Sequence, residues 1–186
     1  MTNLGLIDDD HILSFTCTLP ASVERTWFYL TQPEGLRTWL ADGSLESRLR
    51  GNVKLRFQSG EALVRSNGGT LIRGAIVRYE PYRTLAYSWI DASQETDAPN
   101  GNRAHPSGST ICFELAGRGQ NTWISLTHSG LPTHVLTKVG SGWHAHLNIL
   151  ITAMRDEIAV SVPAPFAALS PRYDRQAAIL HMDSRA

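Results

Sequence analysis

Gly140-Ser-Gly-Trp-His-Ala-His-Leu-Asn-Ile-Leu-Ile-Thr-Ala-Met-Arg-Asp-Glu-Ile158 is the one long helical pattern in the chain. Trp143, Leu147, Leu150, Ile151, Met154 and Ile158 recur at three- and four-residue spacing, which puts them on one helical face. Arg155, Asp156 and Glu157 lie off that stripe and can face water. At 1.5 Å per residue the segment would run about 28 Å, enough to cross a small sheet. Nearly everything before it reads as strands, so the expected construction is one long helix laid across a curved antiparallel sheet.

Working back from the helix, the strands declare themselves by period two. In residues 121–129, Thr122, Ile124, Leu126 and His128 share a face. In 107–116, Ile111, Phe113 and Leu115 do, and Gly-Arg-Gly-Gln joins these two strands. In 83–91, Leu85, Tyr87 and Trp89 alternate onto one face. Residues 70–80, 52–58 and 44–50 continue the pattern, with Gly51 as a turn or bulge between the last two. A first strand over 11–19 stops at Pro20. Two short helices follow it. Ser22 caps 23–31, with Glu24 in its first turn, and Pro33 opens a second helix ending near Leu40.

Residues 92–106 hold two prolines and a glycine among polar residues and are expected to be a mobile loop. Residues 132–138 read as a helical lead-in, with Gly140 and Gly142 permitting a bend before the main helix. The expected division is a domain over 1–160 and a proline-containing tail over 161–186, packed on the domain or on a second subunit of a homodimer. The fold class is α+β: a seven-stranded antiparallel sheet, two short helices after the first strand, and a C-terminal helix on the concave face.

Composition narrows the function classes. The 186 residues suffice for one good core. Formal net charge is +0, so no global field draws the chain to nucleic acid or to an acidic membrane. No apolar run reaches the roughly 18 residues of a membrane span, and the first ten residues do not form a secretory signal. Cys17 and Cys112 each sit in an apolar strand pattern; two buried thiols in a reducing cytoplasm are expected, with a disulfide between them as the alternative. Arg48, Arg50, Lys54 and Arg56 alternate outward along two strands without interleaved aromatics, which reads as a solvated face. His144 and His146 lie two apart, so their rings diverge by about 200° on a helix and cannot chelate one metal. No metal, phosphate-loop or nucleophile-elbow motif is present, and no cofactor is expected.

Particular words at element boundaries add to this. They are Ala21-Ser-Val-Glu-Arg-Thr-Trp27, Leu30-Thr-Gln-Pro-Glu34, Leu36-Arg-Thr-Trp39, Gly74 with Glu80-Pro81, Leu85-Ala-Tyr-Ser-Trp89, Thr122-Trp-Ile-Ser-Leu-Thr-His128-Ser-Gly130, and Gly142-Trp143. Together they span roughly residues 10 to 160 and resemble the AHSA1 (activator of Hsp90 ATPase homologue 1-like) branch of the START-like, Bet v 1-like (SRPBCC) superfamily. The resemblance implies the helix-grip (Bet v 1-like) fold, a bent sheet wrapped on the C-terminal helix with a cavity between. It implies little about chemistry.

Side-chain size on the concave face sets the volume of such a cavity, which is typically apolar with a few convergent polar groups. Trp39, Tyr87, Trp89, His128 and Trp143 combine bulk with a polar atom; Phe113, Leu126, Leu147, Leu150 and Met154 complete the expected lining. His128 follows two apolar inward positions and is expected near a mouth, where it would contact a ligand or act as a general base. The plainer alternative is a strand-end histidine bonded to a backbone carbonyl. Three functions remain: a binding module for a small hydrophobic molecule, a polyketide cyclase or aromatase-like enzyme using His128 or Tyr87 as acid/base, and a co-chaperone-type interaction domain whose partner is an Hsp90-type chaperone. Binding leads, because no two titratable groups are arranged to push their pKa values apart.

Overall fold

The computed structural model describes residues 6–7, 12–57, 69–92 and 108–155. The expected loop beyond Ala92, the tail over 161–186, and Ile158 of the helical stripe lie outside the described residues.

Among the described residues the element order is β1 (Leu6–Ile7), β2 (Leu13–Leu19), α1 (Val23–Thr31), α2 (Pro33–Trp39), β3 (Asp42–Leu45), β4 (Asn52–Phe57), β5 (Thr70–Glu80), β6 (Thr84–Asp91), β7 (Ser109–Arg118), β8 (Asn121–Ser129), then α3 (Leu136–Met154). The strands form one antiparallel sheet in the order β1-β2-β8-β7-β6-β5-β4-β3. This is the expected seven-stranded helix grip, with one addition: the two residues of β1 pair on the outer edge of β2. Residues 132–138 become a short 3₁₀ turn, Thr133–Val135, that runs straight into α3. The helix therefore starts at Leu136, and Gly140 and Gly142 are inside it. Every residue from Gly140 to Leu147 is buried, and packing on all sides outweighs the low helix propensity of the two glycines. No described helix is long and apolar enough to cross a membrane.

The reason for the sheet's inner face is alternation carried across the strands. Leu13, His128, Ile111 and Tyr87 align in one row over β2, β8, β7 and β6, and Phe15, Leu126, Phe113 and Leu85 in the next. All eight are buried. Cys17 lies on this inner face and is buried, while Cys112 alternates to the outer one; both are free thiols. Lys54 and Arg56 are exposed on the outer face of β4, as expected. Arg48 and Arg50 depart from the expected strand over 44–50: they sit in the turn after β3. There Arg50 has φ 62° and its N–H donates to Ile76 O at 2.8 Å.

The two short helices close one side of the grip. Ser22 caps α1 by accepting from the Arg25 N–H at 3.3 Å. The Trp39 indole N–H donates to Tyr29 O at 2.9 Å, tying α2 to α1, and α2 in turn packs on α3.

Candidate functional site

The residues singled out from sequence converge where α3 crosses the sheet. Trp143 stands at the centre with 0% exposure. Its ring centroid lies 5.6 Å from Trp89, 6.1 Å from Phe113 and 6.5 Å from Trp39. Tyr87 stacks on Trp89 at 6.5 Å and meets Phe113 at 6.2 Å. These separations fall in the range where aromatic pairs attract by edge and offset contacts. Leu126, Leu147, Leu150 and Met154 belong to the same buried cluster. Trp89 alone among these aromatics is only partly buried; it sits near the end of β6, at one margin of the cluster.

Three further residues belong here that sequence reasoning passed over. Phe57 lies 5.7 Å from Trp89 and 6.0 Å from His146. The His146 ring is 6.4 Å from Trp143, and its Nδ1 meets Trp39 O at 2.6 Å. A carbonyl only accepts, so this nitrogen carries the proton. Ser109, the third, is the first residue of β7 and pairs with Trp89 across the ladder.

A chain of hydrogen bonds runs through the middle of this apolar surface. The Trp143 indole N–H donates to His128 Nδ1 at 3.0 Å. His128 Nε2 meets Ser109 Oγ at 2.7 Å, and Ser109 Oγ donates to Trp89 O at 3.4 Å. An indole nitrogen can only donate. His128 Nδ1 must therefore be the bare nitrogen, Nε2 must carry the proton, and Ser109 must accept it. That order matters chemically. A histidine serving as base toward a serine needs its lone pair on the nitrogen facing the hydroxyl. Here the indole places the lone pair on the opposite side, so the Ser109–His128 contact is not an activated nucleophile.

This corrects two expectations. His128 is not near a mouth: it is fully buried, and its partners are two side chains rather than a backbone carbonyl. Its burial also holds the imidazole pKa down to about 3, from an ordinary 6.5, because a buried imidazolium loses its hydration. A proton on Nδ1 would in addition face the indole N–H. Burial pushes the Tyr87 hydroxyl upward. Both groups hold their neutral forms across the physiological range.

The depressed pKa makes a stability prediction. The folded protein keeps His128 neutral, while the unfolded chain protonates it below about pH 6.5. The stabilisation is thus fully present above pH 6.5 and is lost as pH falls toward about 3. Between pH 6 and 4, His128 should contribute a decline on the order of 1 kcal/mol per pH unit. Urea unfolding of the wild type and of His128→Gln at several pH values measures it: the variant should show the shallower decline, and parallel curves would contradict the assignment. His128→Ala should lower the melting temperature substantially, because it removes a fully buried ring and leaves the Trp143 indole N–H without its acceptor.

Among the described residues no group of three His, Cys, Asp or Glu side chains is placed to hold a metal ion, and none of the buried polar side chains is Asp, Glu, Lys or Arg. The site's chemistry is that of aromatic faces, hydroxyls and imidazoles.

The family model described as "Activator of Hsp90 ATPase homolog 1-like protein" matches residues 20–155. No curated protein matches the chain. Among solved structures, CalU16 from Micromonospora echinospora is 23% identical with a TM-score of 0.66, over 91% of this chain and 88% of that one. A Bordetella parapertussis protein solved by NMR is 22% identical with a TM-score of 0.67, over 94% of each chain. A Mesorhizobium loti protein is 18% identical with a TM-score of 0.61, over 80% of this chain and 99% of that one. At these identities the likeness is one of fold.

Proposed function

The chain belongs to the activator of Hsp90 ATPase homolog 1-like family, and from that premise we propose that it binds a small hydrophobic molecule between the sheet and α3, at the margin where Trp89 reaches the surface. The observation that carries this reading is the partial exposure of Trp89. Its neighbours Tyr87, Phe113, His128 and Trp143 expose 1% or less, so the aromatic surface is sealed except at this ring. An indole left partly open beside Phe57, Tyr87 and Trp143 offers a flat apolar ligand a stacking face. The ligand seats against Trp89, with Phe57, Tyr87, Phe113, Leu126, Trp143, Leu147, Leu150 and Met154 supporting that ring from behind and Trp39 holding the α2 side.

The cyclase-like alternative asks His128 or Tyr87 to move protons. The locked tautomer of His128, its lowered pKa and the raised pKa of Tyr87 all favour binding over acid–base turnover. Native mass spectrometry of freshly purified protein tests the reading. A species heavier than the 20.5 kDa chain, reduced to the bare chain on denaturation, is the expected result. Bare chain throughout, with tryptophan fluorescence indifferent to added naphthalene derivatives, would contradict it. Co-purification of an Hsp90-type chaperone in place of a small molecule would support the interaction-domain reading instead.

A further inference from the structure

We infer that Ser109 reads the ligand's polar group, and that the ligand is a neutral, flat molecule carrying a hydrogen-bond acceptor such as a carbonyl oxygen. This rests on the binding reading above and names the chemistry that the same site selects.

Ser109 faces the sheet interior beside Trp89, its partner across the β6–β7 ladder, at the margin where that indole is open. Its hydroxyl is unevenly used. The oxygen receives a short bond from His128 Nε2–H at 2.7 Å, a direction forced by the Trp143 indole on the other nitrogen. The hydroxyl proton is left with the Trp89 carbonyl at 3.4 Å, well beyond the usual 2.5–3.0 Å of an O–H···O bond. The proton is thus the underused half of the group. Turning it onto a ligand oxygen gives up a weak contact and makes a normal one, while His128 keeps the oxygen in place. Accepting a bond also makes a hydroxyl a better donor. A ligand acceptor beside Trp89 therefore meets a donor already held on target.

Charge excludes the ionised classes. The buried polar side chains among the described residues are threonines, serines and histidines, with no Asp, Glu, Lys or Arg. A carboxylate or ammonium drawn in among these groups would lose its hydration without a buried opposite charge to meet. A second hydroxyl belongs to the same inner face. Thr70 is 1% exposed, its oxygen has no hydrogen-bond partner among the described residues, and it lies opposite Phe57, whose ring touches Trp89. Two buried hydroxyls, one underused and one orphaned, flank one aromatic surface.

The test uses three probes of one shape: 2-acetylnaphthalene, 2-isopropenylnaphthalene, in which CH₂ replaces the carbonyl oxygen, and 2-naphthoate, which carries a charge. Affinities are read from tryptophan quenching in the wild type, Ser109→Ala and Ser109→Thr. The wild type should bind the ketone about 3- to 10-fold more tightly than the alkene, the worth of one net hydrogen bond, and the naphthoate most weakly. Ser109→Ala should bring the ketone-to-alkene ratio to about one, and Ser109→Thr should restore it. Removing the hydroxyl also strips His128 of its acceptor and will lower stability; the ratio is insensitive to this, since both probes sample the same folded population. Equal wild-type affinities, or a ratio unchanged in Ser109→Ala, would overturn the role of Ser109 while leaving the binding site standing. No quenching by any of the three would overturn both.

Discussion

Trp143→Ala should lower the free energy of unfolding by about 4–5 kcal/mol, at the upper end of large-to-small core replacements. Three effects add. The indole is fully buried, so its removal leaves a large cavity. That cavity is walled by Trp39, Trp89, Phe113, His128 and His146, rings too stiff to collapse into it. The His128 Nδ1 acceptor also loses its donor. Trp143→Phe separates the contributions: it keeps a ring and removes the N–H, and should cost about 1–3 kcal/mol, the range for orphaning a buried polar partner. It should also free His128 to take its other tautomer, which imidazole ¹⁵N shifts would register. A loss below about 1.5 kcal/mol for Trp143→Ala in urea unfolding would remove Trp143 as the anchor between helix and sheet.

Gly74→Ala should cost about 2–4 kcal/mol although it adds one methyl group. A Cβ at this position would overlap the Ser88 carbonyl oxygen of the neighbouring strand. That atom is backbone, and no rotamer change moves it. The strands meet this closely just before an irregularity in the β5–β6 ladder. Ser88 Oγ takes the Ala75 N–H at 3.0 Å in place of a ladder bond, and the register shifts between Ile76 and Arg78. Forcing β5 away would flatten the curvature that wraps the sheet toward α3. Gly117→Ala is the control: a Cβ there meets only Val23 Cγ2 at 3.4 Å, and the change should stay within about 1 kcal/mol of wild type. Equal effects at the two sites would mean that the close approach at Gly74 does not shape the sheet.

Much of the fold was legible because its signals are local. Period two placed β5 and β8 at their observed bounds, and the Ser22 cap placed α1. Where burial or turn geometry competed with local preference, the reading slipped. Gly140 and Gly142 left room for a bend ahead of the main helix, yet they are buried inside α3. A strand over 44–50 gave way to a turn in which Arg50 takes a positive φ. Two residues, as in β1, are too few to show any period.

The site divides the same way. Alternation put His128 on the inner face correctly, but depth along a strand depends on the neighbours in its row, Leu13 and Ile111, which pairing brings in from far along the chain. Phe57 was within reach, since it continues the alternation of Val53 and Leu55. His146 was too, three residues from Trp143 on the helix; weighing it only as a metal ligand hid its place in the aromatic cluster. Ser109 sits one alternation step before Ile111, but nothing local to a serine tells that a buried histidine will donate to it.

The proposed ligand, a small hydrophobic molecule, seats against Trp89 between sheet and helix. The five tryptophans supply the most direct test, because each indole N–H gives its own signal in a ¹H–¹⁵N correlation spectrum. Trp89, Trp143 and Trp39 belong to the cluster, while Trp27, within α1, packs against Tyr79 and Tyr82, and Trp123 alternates to the outer face of β8. Titration with 2-acetylnaphthalene should move the Trp89 signal most and the Trp143 signal next, leaving Trp27 and Trp123 in place. Shifts confined to Trp27 or Trp123, or no shift at saturating probe, would contradict the account.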